Sequence, residues 1–276
     1  KLLKILGDCD RSHSTNHWRE YFIFLLKKKD GYFRMVPNKI LNTFDNKIFL
    51  IHLPRIMVFV FLILQFLGMI NYPGGTIWNE NSSNYLFTKN YFSDLGRFEA
   101  HSGEPNYLSM IFFTLSLFLV SVTFIFHYIS VLTFFNKDRD KLNIKLAVVG
   151  VFFSFCGAFC LIGTALTPSD LVLDAHVFYA NNIFHSFLVT ALIFTIIIYR
   201  SVLIENKYAI GYGIFFLSIL SYVLILHLGP GPRESQGALI FQVISQKLIV
   251  LIFILSVVYQ TFGFNNLFKR DDNHSN

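Results

Sequence analysis

Three short segments of this chain carry nearly all of its candidate chemistry. The stretch NYFSDLGRFEAHSGEPN, from Asn90 to Asn106, brings Ser93, Asp94, Arg97 and His101 together with two glutamates, between two long apolar runs. GTALTPSDLVLDAH supplies Asp170, Asp174 and His176, and HLGPGPRESQG supplies His227, Arg233 and Glu234. Carboxylates beside imidazoles can exchange protons with a substrate, or hold a divalent ion that activates water. On that chemistry the catalytic candidates are Asp94, His101, Asp170, Asp174, His176 and Glu234. His101, Asp174 and His176 are the candidate ligands of one divalent metal such as Zn, with Asp94 as base. Ser93, Arg97, His185, His227, Arg233, Gln242, Gln246 and Lys247 are the candidate ligand-binding groups. The metal signal is weak in its spacing, since there is no HExxH and no pair of histidines four apart within an apolar run.

Each residue also has a plainer reading. Loop carboxylates are usually a solvated face, which suits Glu80, Glu99 and Glu104, and Asp170 fits as the cap of a following helix. A helix starting at Ser169 would put Asp170 and Asp174 on one face. His127 has no partner in reach of its sequence neighbourhood, and Lys247 can snorkel to an interface. Cys156 and Cys160 lie four apart amid glycine and alanine, where helix packing outweighs metal binding. With Cys9 they form no disulfide framework. Asn81-Ser82-Ser83 is a glycosylation sequon in the first long loop.

The elements that must position these groups are membrane spans. Of 276 residues 54% are hydrophobic and 14% are charged, where a soluble domain carries about a quarter charged residues. The apolar material lies in six blocks, each near the roughly 20 residues that a bilayer requires: Leu53–Asn71, Leu108–Phe135, Leu146–Thr167, Val177–Tyr199, Ile210–Leu228 and Gly237–Phe262. The expected fold class is all-α, a polytopic membrane protein with six transmembrane helices in one bundle. A basic, aromatic arm over residues 1–52, a transmembrane domain over 53–264 and a short tail over 265–276 complete it. The arm segment Trp18–Arg34 could lie in the interface as an amphipathic anchor. Lysines and arginines favour the cytoplasmic side. The arm, the connection carrying Lys137, Arg139, Lys141 and Lys145, the Arg200–Lys207 connection and the tail are basic, and the opposite loops are acidic. Both termini are therefore expected in the cytoplasm, and the net charge of +6 marks a lipid-facing inner surface rather than a nucleic-acid site.

Helical rise of about 1.5 Å per residue gives depths. Lys247, eighteen residues above Asn265, lies roughly 27 Å up, and His185, fifteen above Arg200, roughly 22 Å up. His227 closes the outer end of the fifth span, and Gln242 and Gln246 share a face beside Lys247. An ionisable group inside a span costs about 2.5–3.5 kcal/mol and marks function by default. The expectation is one outer pocket capped by the loop acids.

NYPGGT after the first span, NYFSDLGR in the loop, GTALTPSD closing the third span, the histidine two residues after Asp174, and QGALIFQVISQK opening the sixth resemble an uncharacterised bacterial and archaeal membrane family. That family is catalogued as domain of unknown function 998 and is distantly similar to Frag1/DRAM-like membrane proteins. The likeness covers about Leu53–Phe262. It differs in that members often read GxFPxD where this chain has GTALTPSD, and the basic arm falls outside the pattern. The resemblance implies the fold and the site residues and supplies no reaction. Two functions follow: an interfacial enzyme acting on a lipid or lipid-linked substrate, or a non-catalytic protein that binds a lipid or a partner. A small transporter ranks behind both, since no half-to-half symmetry or broken helices are visible.

Overall fold

The computed structural model describes residues 46–274, with side chains through Phe268, so Cys9 and Trp18–Arg34 lie outside the described residues. Six helices follow one another: α1 (Leu53–Ile70), α2 (Tyr107–Phe135), α3 (Lys141–Leu166), α4 (Leu173–Arg200), α5 (Asn206–Leu228) and α6 (Gln236–His274). All six are long and apolar enough to cross a membrane, and the chain is a multi-pass membrane protein. Only helices satisfy their own backbone in lipid, so runs of this hydropathy must form them.

Local chemistry sets the ends. A π-helical turn, Ile48–His52, runs directly into α1, so the first span starts at Ile48. The Asp140 carboxylate accepts the Leu142 N–H at 2.8 Å and starts α3 at Lys141, five residues ahead of the apolar run. Pro168 follows the end of α3, and α4 begins at Leu173 rather than Ser169. After Gly263 no glycine or proline stops α6, which continues to His274.

Sequential helices pack pairwise from α1 to α6, and α1 also meets α6. The α3–α4 seam is close because a Cβ on Gly150 would press on Ile193 and Phe194, and one on Gly157 on Phe187. Edge-to-face rings fill the middle, with Phe187 and Phe253 centroids 5.0 Å apart and Phe215 and Phe253 4.9 Å apart. At the end opposite the long loop, Asp138 accepts from Asn143 Nδ2 and Ser201 Oγ, and Arg200 pairs with Asp140. Phe59, Phe66, Phe152 and Phe159 stay exposed, as lipid-facing side chains do.

The loop between α1 and α2 is itself folded. β1 (Gly74–Thr76) and β2 (Asn79–Ser83) form an antiparallel hairpin, and Phe92–Gly96 makes one 3₁₀ turn. Gly75 has φ of +84°, and a Cβ there would collide with the backbone of His101 and Ser102.

Candidate functional site

Asp94 is the hub of this loop. It is 5% exposed, and its carboxylate accepts from Asn90 Nδ2 (3.1 Å), the Tyr91 N–H (2.9 Å) and His101 Nε2 (3.2 Å). Asn90 is fully buried and ties the surroundings together. Its Nδ2 also donates to Gly75 O, its Oδ1 accepts the Leu86 N–H, and its carbonyl receives Lys247 Nζ at 2.6 Å. Lys247 thus reaches Asp94 through Asn90 rather than directly. Its ammonium lies 4.8–5.4 Å from the ring centroids of Tyr85, Phe87 and Phe92, an aromatic cage that replaces part of its lost hydration. The phenols of Tyr72, Tyr85 and Tyr91 are pushed up, first by burial and then by the charge of Asp94.

Further bonds fasten the loop to the bundle. Gln246 Oε1 accepts the Phe92 N–H at 2.9 Å. Asp170 accepts the Phe98 and Glu99 N–H groups at 3.0 and 2.9 Å. The indole of Trp78 donates to Pro232 O at 3.0 Å. Asn106 Nδ2 holds the Leu95 and Arg97 carbonyls, and Ser109 Oγ donates to Leu95 O. Gly96 has an ordinary φ, and what requires a glycine there is space. The Phe113 ring lies where a Cβ would stand.

The loop end of the bundle therefore unites Asp94, His101, Gln246, Lys247 and Asp170. Asp170 does not cap α4 or share a helical face with Asp174, because its carboxylate is committed to the loop backbone ahead of the helix start. Asp174 is exposed in the first turn of α4. His176 is buried, and its Nδ1 donates to Thr167 O at 2.6 Å, which leaves Nε2 without a partner. Among the described residues no three His, Cys, Asp or Glu side chains gather as a metal ion requires, so the His101–Asp174–His176 set is not assembled. Arg97 Nε donates to Glu99 O. Arg233 and Glu234 are exposed, and Glu234 accepts the Gly231 N–H within its own turn. Gln242 donates to Ile225 O and Pro230 O, closing the end of α5. His185 and His227 form a separate pair between α4 and α5, with Nε2 atoms 2.9 Å apart. His127 bonds Phe49 O, and Cys156 and Cys160 are free thiols.

Beneath the loop lies a half-open cavity of about 160 Å³ between the helices. Phe92 and Ser93 form its roof, and its walls come from α1, α2, α3, α4 and α6. Along α1 the lining runs Pro54, Val58, Phe61 and Gln65, one helical face. Facing it on α6 are Gln246, Val250, Phe253 and Val257. Among the described residues no charged side chain or histidine lines the space. Gln65, absent from the sequence candidates, is 3% exposed and its Oε1 has no donor among the described residues. A buried acceptor left unpaired costs about 1–3 kcal/mol.

No protein-family model, no curated protein and no solved structure matches this chain.

Proposed function

We propose that this integral membrane protein binds a lipid without turning it over. The hydrocarbon part sits in the cavity under the fastened loop, and the chain belongs to the membrane family that its motifs resemble. The observation that carries the reading is the cavity itself. Tight packing leaves few voids larger than a water in a protein interior. An engineered void of about 150 Å³ with apolar walls stays dry and accepts benzene, so this one suits a hydrocarbon segment. The bilayer is the ready source of such a segment. The exposed charges at the loop end face away from the cavity lining and serve the surface.

A hydrolytic reading has one observation in its favour, the free Nε2 of His176 with its tautomer held by Thr167. His176 does not line the cavity, however, and Asp94 and Asp170 already hold the loop backbone, which favours binding over turnover. The loop end is proposed to face outward and both termini the cytoplasm. Of 23 lysines and arginines, only Lys89, Arg97, Arg233 and Lys247 then fall on the outer side.

Native mass spectrometry of protein released from detergent tests the binding reading. Wild type should retain lipid adducts, and Val250→Trp, which fills the cavity from α6, should lose them while remaining folded. Equal adducts on both proteins would refute a cavity ligand.

A further inference from the structure

Five buried polar atoms lack a partner among the described residues: Arg55 Nη2, Gln65 Oε1, Ser102 Oγ, Asn106 Oδ1 and His176 Nε2. Of these residues only Gln65 lines the cavity. The neighbouring bonds set the orientation of its amide. Ser116 Oγ donates its single proton to Phe113 O at 2.7 Å, so toward Gln65 it can only accept. The group 2.6 Å from Ser116 Oγ is therefore the amide N–H₂, and the carbonyl Oε1 is the acceptor left over. A flipped amide would set two acceptors against each other.

Gln65 lies five residues below the end of α1 at Ile70, about 8 Å along the helix. At that level the roof residue Ser93 and Gln246 join it, while the cavity below is lined by Val58, Phe61, Val250 and Phe253. The cavity is thus most polar near the loop, with the Thr123 hydroxyl among otherwise apolar side chains farther down and no charge among the described lining residues.

We infer that the cavity takes a neutral lipid whose head carries a hydroxyl or amide N–H, and that this donor bonds Gln65 Oε1. The inference rests on the lipid-binding reading above and adds the class of head group. A charged head finds no counter-charge in the lining, whereas a neutral donor supplies the hydrogen bond that Oε1 lacks. An acylglycerol hydroxyl and an isoprenoid alcohol share this chemistry and differ in the chain that follows.

The test is displacement of tritiated 1-decanol from the purified protein by four competitors: 1-decanol, its methyl ether, farnesol and farnesyl methyl ether. Each ether keeps the chain and removes the donor. In wild type each alcohol should bind about tenfold tighter than its ether, a difference of about 1.4 kcal/mol. Whichever pair binds more tightly identifies the straight or the isoprenoid chain. Gln65→Met should erase the alcohol's advantage and leave ether binding within about twofold. Ser116→Ala, which removes the group that orients the amide, should diminish the advantage. Equal binding of alcohol and ether in wild type overturns the inference while leaving chain binding intact, as does an advantage that survives Gln65→Met. If neither chain binds wild type at all, the lipid-binding reading falls with it. The wild-type comparison decides the matter even if a variant fails to fold.

Discussion

Asp94→Asn keeps the shape of the loop hub and removes its charge. The substituted amide can still accept from Asn90 Nδ2 and the Tyr91 N–H through its oxygen. Its N–H₂ then faces His101 Nε2, which accepts if the imidazole carries its proton on Nδ1. All three bonds survive, so the cost lies in charge. A hydrogen bond to an ionised group contributes about 1.5–3 kcal/mol and a neutral one about 0.5–1.5, so three bonds weakened by about 1 kcal/mol each give roughly 3 kcal/mol. For a chain of this size 1 kcal/mol shifts Tm by about 2–4 °C, and Asp94→Asn should lower it by about 6–12 °C. The intrinsic fluorescence of Trp78, whose indole is held by Pro232, reports the transition in detergent.

The same geometry predicts coupling to Lys247. That buried ammonium has Asp94 as its neutralising charge through Asn90, so Asp94→Asn leaves it uncompensated. The double variant Asp94→Asn/Lys247→Met should therefore lose at least about 1 kcal/mol less than the sum of the single losses. A Tm for Asp94→Asn within about 2 °C of wild type, or strictly additive losses, would refute the role of the charge. Glu80→Gln, on the exposed strand β2, is the control that should change nothing.

In a background without native cysteines, Asn81→Cys should react with an impermeant maleimide from outside the cell and Arg139→Cys should not; the reverse pattern inverts the proposed orientation. Gly96→Ala pushes a methyl group into the Phe113 ring and should cost about 1–3 kcal/mol in thermal unfolding, with Phe113→Leu restoring part of it. Tyr72 and Tyr85 have phenols raised by burial and by Asp94, so the folded state holds their protons beyond the usual pH of about 10. Their contribution is complete below that pH and lost as pH rises above it. Tm should therefore fall on titration from pH 9 to 11, and less steeply in Tyr85→Phe. Asp170→Ala should speed amide exchange at Phe98 and Glu99, whose N–H groups it holds, while Asp174→Ala should not.

The six spans were legible because an apolar run of this length has one stable form in lipid. Their ends were less so, since Asp140 starts α3 through a local cap and Asp170 leaves the α4 start to bind a loop 71 residues away. Depth arithmetic brought Gln246 and Lys247 to the level of the loop, where each bonds it. It could not foresee the hairpin, because NENSS has no strand alternation and the register is held by distant groups such as Asn90 on Gly75 O and Ser102 N–H on Gly74 O. Sequence does not show what the carboxylates bond: Asp170 and Glu234 accept from backbone N–H groups, and Asp94 from the Tyr91 N–H and the Asn90 and His101 side chains. Gln65 was missed although it stands alone among apolar neighbours in FLILQFLGMI, the same signal that singled out Lys247.

The concentration of charge in this loop has a structural logic that bears on how a ligand arrives. Asp170, Gln246, Lys247 and Trp78 fix the loop to the α3–α4 connection, to α6 and to the α5–α6 turn from several directions. Opening it would expose Asn90 and Asp94 and break several of these bonds at once, among them the buried Lys247–Asn90 bond and the Asp170 carboxylate's bonds. The α1 wall is fastened differently. Its lipid side is bare Phe59, Leu62, Ile63 and Phe66, and its side chains bond α2 through Gln65 on the cavity side and α6 through Arg55 and Thr261 away from the cavity. A displaced α1 trades apolar protein surface for lipid at little cost, since neither is water. On the proposed lipid-binding reading, a chain would enter from the bilayer past α1, under the fastened roof that the loop's ionisable groups help to hold.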